Sequence, residues 1–284
     1  MEAAFFDLDK TVIDRASMVA FGHPFYREGL ISRRTVARAL WGQLVYLHLG
    51  ASEQKLARMR ESVLRLTRGW DSARVQGIVA DTLRSVIDPI IYQEALDLIE
   101  AHQAAGRRVF IVSASPVEIV APLAGYLGVD RAIASAAAVD ADGRYTGEME
   151  VYAYGPFKAE LIQRAALEEG IDLSGSYAYS DSYTDLPMLE AVGHPVVVNP
   201  DRPLLKAARE RGWEIRSFTR PVRLRDRMPV PRTPRSAAVT GVIVAAGAAT
   251  TVWWRLRSRR PEGLPDVVPA IPPGASWRRR SRVR

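Results

Sequence analysis

The sequence predicts an α/β protein: a mainly parallel sheet covered by helices on both faces, with an all-helical block inserted after the first strand and an apolar, then basic, C-terminal tail. Three observations predict it. From residue 92 to 218, short apolar runs alternate with segments of helical period, which is the rhythm of a parallel sheet buried on both sides. Between Asp14 and Asp88 no strand-like alternation appears. Charge is also divided unevenly: residues 1–215 hold 23 Lys+Arg against 29 Asp+Glu, residues 216–235 seven Arg against one Asp, and residues 255–284 nine Arg against two acids. The net +7 therefore belongs to the tail and not to the body, which argues against nucleic-acid binding by the folded part.

The elements follow in order. Residues 3–8 read as a short buried strand. The stretches "TVARALWGQLVYLHL", "EQKLARMRESVLRLTRG" and "DSARVQGIVADTLRSVI" carry apolar residues at helical spacing, broken near Gly50 and Gly69; their apolar faces are expected to pack on one another. A helix over 92–105 stops at Gly106, and "RVFIVSA" follows as a strand. Helix 116–127 has Ser115 as expected N-cap and Pro116 at its first position. "AIASAAAVDADGRYTGEMEV" reads as a strand and hairpin turning at Asp142–Gly143. Then come helix 156–169, strand "SYAYS", a short helix near 185–191, strand "PVVV", helix 201–211 and strand "WEIRSF".

The tail divides into a basic linker, 219–235, an uncharged stretch, 236–254, and a Pro-rich basic end, 255–284, expected to be disordered. The uncharged 19 residues, bracketed by Arg235 and Arg255, would span ~28 Å as a helix, close to the hydrocarbon thickness of a bilayer. Trp253 and Trp254 stand where an interfacial pair would. The segment is mostly Ala, Gly and Thr, so two readings stand: a membrane anchor for a cytoplasmic catalytic domain, with the arginines drawn to anionic lipid, or a weakly apolar linker. The first residues lack the pattern of a secretory signal peptide. There is no cysteine, which excludes disulfides and thiolate metal sites. The histidines His23, His48, His102 and His194 show no zinc spacing.

The chemistry-bearing residues gather at predicted strand ends, where parallel sheets bind ligands. Asp7 and Asp9 end the first strand, Ser113 ends "VFIVS", Asp181 and Asp185 follow "SYAYS", and Lys158 opens helix 156–169. Each alone has a structural reading: aspartates capping a turn, a buried serine, a solvated lysine, an acid in a helix's first turn. Together, several carboxylates at one rim repel one another unless a hard cation binds, and an oxygen-rich site suits magnesium. Lys158 is one of four lysines against 35 arginines, which hints at a need for a compact point charge.

"FFDLDKTV", "VFIVSAS", Lys158 and "SDSYTDLPM", in this order, resemble the haloacid dehalogenase-like hydrolase superfamily, in particular its phosphoserine-phosphatase-like branch, subfamily IB. The resemblance covers residues 1 to about 218. It implies a Rossmann-like core, 1–14 and 89–218, with a helical cap, 15–88. It implies a Mg2+-dependent phosphatase in which Asp7 is the nucleophile that becomes an aspartyl phosphate, and Asp9 the general acid and then base. Ser113 and Thr11 would serve the phosphoryl group and its loop, and Lys158 would offset charge on both. The metal would be held by Asp7, the Asp9 carbonyl, Asp181 and Asp185.

Two departures bear on the substrate. Phosphoserine phosphatases carry a substrate-binding glutamate nine residues past the nucleophile, where this chain has Ala16, and a glycine-rich "GDGxxD" where it has "SDSYTD". The expected substrate is accordingly a small-molecule or lipid phosphomonoester other than phosphoserine. The alternatives are a phosphotransferase using the same intermediate, a receiver-like signalling module, and a catalytically silent, membrane-tethered binding protein.

Overall fold

In the computed structural model, residues 1–32 and 53–220 are described. The expected helix over "TVARALWGQLVYLHL", nearly all of the linker 219–235, the stretch 236–254 and the tail 255–284 lie outside them. Among the described residues no helix is long and apolar enough to cross a membrane.

Among the described residues, seven strands form one sheet in the order β4-β3-β2-β1-β5-β6-β7. They are β1 (Ala3–Phe6), β2 (Arg108–Pro116), β3 (Arg131–Val139), β4 (Tyr145–Val151), β5 (Tyr177–Ser180), β6 (His194–Val198) and β7 (Glu214–Arg216). All neighbours run parallel except β3 and β4, the expected hairpin. Numbered over the described residues, the helices are α1 (Ser17–Ala20), α2 (Gly22–Arg27), α3 (Glu53–Thr67), α4 (Ser72–Ile87), α5 (Gln93–Ala104), α6 (Val117–Leu127), α7 (Pro156–Glu169), α8 (Leu186–Glu190) and α9 (Arg202–Arg211).

The four residues of β1 explain why its sequence is apolar without interruption. Side chains alternate between faces, and both faces are covered: Ala4 and Phe6 join a cluster with Val109, Ile111 and Val196, while Ala3 and Phe5 join another with Phe110, Ala178 and Val197. Phe5 and Phe6 are fully buried; truncating either to alanine would cost about 3–5 kcal/mol. The helical block is less self-contained than its sequence suggests. Val75, Ile78, Val79, Leu83 and Ile87 of α4 share the cluster of Phe6 and Ile111 instead of closing a core of their own.

The chain leaves β1 to build one side of the sheet and returns to β5 on the other, so β1 and β5 flank the point where strand order reverses. Crevices open there, at the carboxyl ends of the strands. Strand β1 ends two residues before the sequence suggests. The Asp7 N–H makes a last bond to the Tyr179 carbonyl (2.9 Å), and the N–H groups of Thr11, Val12 and Ile13 then all turn onto the Leu8 carbonyl (3.3, 2.9 and 3.1 Å). Lys10 takes the left-handed conformation this turn needs (φ 65°).

Candidate active site

Four elements deliver side chains to that crevice. The turn after β1 brings Asp7 and Asp9, the end of β2 brings Ser113, the first turn of α7 brings Lys158, and the segment after β5 brings Asp181 and Asp185. Helix α7 begins where it does because Gly155 adopts φ 57°, ψ −130°, a geometry that favours glycine, and Pro156 follows at the first helical position. Lys158, two residues on, is only 3 % exposed.

Its ammonium sits between two carboxylates. Nζ donates to Asp7 Oδ1 at 2.6 Å and to Asp185 Oδ2 at 2.7 Å. Ser180, the last residue of β5, donates its hydroxyl to the same Asp185 oxygen (2.7 Å). The loop between them is pinned from α9: the Asp201 N–H donates to the Asp181 carbonyl (2.8 Å), and Asp201 accepts from the N–H groups of Tyr183 and Leu204 (3.0 and 2.8 Å). Asp9 has a different shell. Its Oδ1 accepts from the Ser17 N–H (2.8 Å) and its Oδ2 from the Ser115 hydroxyl (3.1 Å). Ser113 Oγ accepts from the Ser115 N–H (3.1 Å).

The electrostatics are those of too many carboxylates for one buried lysine. Burial pushes the Asp7 carboxyl well above the usual range; Lys158 pulls it back, while Asp185, Asp181 and Asp9 push it further up. Burial likewise raises Asp181, to about 7, against the pull of Lys10. Asp9 is raised by burial and drawn back by the Ser17 and Ser115 bonds. Burial works against the charge of Lys158, yet Asp185 and Asp7 hold it above the ordinary lysine value, so it stays an ammonium.

The donor set fits a divalent cation. Among the described residues no three Asp, Glu, His or Cys side chains close into a ready-made cage. Magnesium does not need one: it keeps several waters and takes one or two carboxylates. A rim of buried carboxylates displaced upward, with a single buried ammonium among them, is a charge imbalance that such an ion relieves.

The structure thus brings together Asp7, Lys158 and Asp185 by direct contact, with Asp9 and Asp181 near enough to act on the charge of Asp7, while Ser113 is linked to Asp9 through Ser115. Thr11 behaves otherwise than expected. Its hydroxyl is fully buried without a hydrogen-bond partner, and backbone bonds to Leu8, not this hydroxyl, tie the loop. Ser115 is also reassigned. Pro116 occupies the N-cap of α6 with no side-chain cap bond, and Ser115 lies in an irregular stretch of β2 facing Asp9. Sequence reasoning missed Ser17, Ser115 and Ser180 as parts of the site. The signal for Ser115 was its place two residues beyond Ser113; for Ser180, its place at the strand end before Asp181. Nothing in the sequence marks Ser17.

Residues 4–190 match the haloacid dehalogenase-like hydrolase family. Over 260 residues the chain is 52 % identical to an "Inhibition of morphological differentiation protein" of Streptomyces azureus, covering 90 % of this chain and 94 % of that one. It is 49 % identical over 257 residues to a "probable phosphatase" of Mycobacterium tuberculosis, with 90 % and 89 % covered. It is 35 % identical over 263 residues to a "phosphoserine phosphatase" of the same organism, with 91 % and 80 % covered.

Proposed function

Because this chain belongs to the haloacid dehalogenase-like hydrolase family and is a phosphatase, we propose that it hydrolyses a phosphomonoester through an aspartyl phosphate on Asp7, with Mg2+ as cofactor. The observation that carries the reading is the buried Lys158 ammonium joined at 2.6 Å to Asp7 and at 2.7 Å to Asp185. A lysine held this way is costly to bury and serves a site where negative charge accumulates.

With Lys158 on Oδ1, the other oxygen of Asp7 is the one that attacks phosphorus. The bond from phosphorus to the leaving oxygen breaks as the new one forms, and Asp9 gives the departing oxygen a proton. Burial, which raises Asp9 above the ordinary carboxyl range, favours the protonated form that this step needs. Asp9, now ionised, takes a proton from water, whose oxygen attacks the phosphoaspartate and frees Asp7 and phosphate. The Ser113 hydroxyl, whose own proton has no acceptor among the described residues, donates to a phosphoryl oxygen, and Lys158 counters charge on the others. Asp7, the Asp9 carbonyl, Asp181 and Asp185 would hold the ion, which supplies charge neutralisation for the phosphoryl oxygens.

The substrate we infer is a phosphomonoester other than phosphoserine, although one relative carries that name. Ala16 stands where a carboxylate would pair with an amino group, and its methyl side chain has no charge to offer.

The test is release of inorganic phosphate by the full chain from a panel of sugar, nucleotide, lipid and amino-acid phosphates, with Mg2+ or chelator. Metal-dependent release, at least ~1,000-fold lower in Asp7→Asn, is expected. Release that survives chelation or that substitution would overturn the mechanism. Phosphoserine ranking far above all others would overturn the substrate inference alone.

A further inference from the structure

Each oxygen of the Asp9 carboxylate has its own donor, and the two donors are linked. The Ser17 N–H holds Oδ1 and the Ser115 hydroxyl holds Oδ2. The Ser17 hydroxyl then donates to Ser115 Oγ at 2.7 Å. Both serines are buried, Ser17 fully. Each carboxyl oxygen can accept its bond whether or not one of them carries the acid proton, so Ser115 commits its own proton to Asp9 Oδ2 and is itself fixed by accepting from Ser17. One bond at each oxygen fixes the rotation of the carboxylate plane. A single remaining bond would not.

We propose that Ser115 is a positioning residue for Asp9, and that Ser17 acts through it. The pair holds the Asp9 carboxyl in the one orientation from which its proton reaches the leaving oxygen. Ser17 is the first residue of α1, the first helix beyond the Asp9 turn, whereas Ser115 lies on β2. The hydroxyl chain therefore makes the orientation of Asp9 depend on the seating of the inserted helices against the sheet. Asp9 is correctly aimed only while α1 is in place. This inference rests on reading Asp9 as the general acid.

A leaving-group comparison tests it. Phenyl phosphate and p-nitrophenyl phosphate have nearly the same shape, but p-nitrophenolate departs without protonation far more readily than phenolate. The parameter to read is kcat/KM, which stops at transfer of the phosphoryl group to Asp7 and so isolates the acid step from the later hydrolysis. General acid catalysis is worth roughly 100–10,000-fold. Ser115→Ala in the full chain is expected to lower kcat/KM for phenyl phosphate by about 10–100-fold and for p-nitrophenyl phosphate by no more than about threefold. Ser17→Ala keeps the N–H bond and should give a smaller loss with the same selectivity. In the double variant it should add nothing to Ser115→Ala, because it acts only through that hydroxyl.

Equal losses on both substrates, or additive losses in the double variant, would overturn the proposal, since a serine that merely supports the fold treats both leaving groups alike. Should Ser115→Ala not fold, Ser17→Ala alone decides on the same selectivity. If the unaltered protein hydrolyses neither compound nor any member of the panel, it is the reading of the site as a phosphatase centre that fails. If Asp7→Asn is inactive and Ser115→Ala shows no selectivity, only the role of Ser115 fails.

Discussion

Replacing Lys158 by methionine strands two carboxylates, and the consequence for stability has a magnitude and a pH dependence. Lys158, Asp7 and Asp185 are all nearly inaccessible, with side-chain exposures of 3 %, 9 % and 3 %. Removing one partner of a buried ion pair costs about 3–5 kcal/mol, because the remaining charge is left without compensation. For a domain of 150–250 residues each kcal/mol shifts Tm by roughly 2–4 °C, so the expected loss near pH 8 is about 6–20 °C. The loss should shrink in acid. Asp7 is already raised by burial, and Lys158 is the influence that pulls it down; without the lysine it rises further. A carboxyl raised in the folded state gives stability that is present below its unfolded value and lost as pH rises through its folded value. Lys158→Met measured by thermal unfolding from pH 5 to 8, with chelator present so that no divalent ion substitutes, should therefore lose less at the acid end of that range than at pH 8. Adding Asp185→Asn removes one stranded charge and should restore part of the loss at pH 8. A deficit independent of pH, or no recovery in the double variant, would refute the account of the lysine as the counter-charge of this pair.

Two further predictions concern the scaffold. Burial, with Arg107 and Arg216 nearby, lowers the His102 imidazole to about 4, while its Nε2 lies 2.8 Å from the Tyr179 hydroxyl. Between about pH 6.5 and 4 the unfolded chain binds a proton there that the folded chain does not, so stability falls with pH, by roughly 3 kcal/mol at the acid end. His102→Gln should flatten that part of a urea-denaturation series, and an unchanged acid slope would exclude His102 as its source. A Cβ on Gly193 would lie 1.7 Å from the Ser174 carbonyl oxygen, so Gly193→Ala should cost about 3 kcal/mol or more in chemical denaturation. Gly77→Ala, inside α4 with nothing within 4 Å, should instead stabilise by about 0.5–1 kcal/mol. Similar effects from the two substitutions would contradict the packing at Gly193.

Much of this could be read from the residues, and what was readable had a common character. Helix 156–169 was legible to the residue because Gly-Pro opens it and Gly170 closes it in the left-handed conformation, two local signals that need no tertiary information. Strand β1 was legible as doubly buried because all four residues are apolar. Its end was not, because what ends it is the convergence of three N–H groups on the Leu8 carbonyl, which no side chain announces. Ser115 was misread for a related reason. Serine before proline at a helix start is a capping pattern, yet the irregularity of β2 after Ser113 turned the hydroxyl towards Asp9, a partner 106 residues away. The apolar face of α4 was legible as a face, but not its destination in the sheet's own core.

The residues that sequence reading recovers and those it misses divide by task. Asp7, Asp9, Ser113, Lys158, Asp181 and Asp185 are the groups proposed to meet phosphate or metal, and their chemistry restricts each position to one or two residue types. Ser17, Ser115 and Ser180 touch those residues instead: Ser180 fixes Asp185, whose other contact is Lys158, while Ser17 and Ser115 fix Asp9. Any small donor of the right reach meets that need, so the sequence carries little trace of it. The consequence is physical. Asp7 is oriented by Lys158, which Asp185 orients, which Ser180 orients, so that branch is anchored on β5 and α7. Asp9 is oriented from β2 and α1. Nucleophile and acid are thus two residues apart in sequence but held by separate parts of the fold, and a displacement of α1 would disturb proton transfer while leaving the Asp7–Lys158 contact untouched.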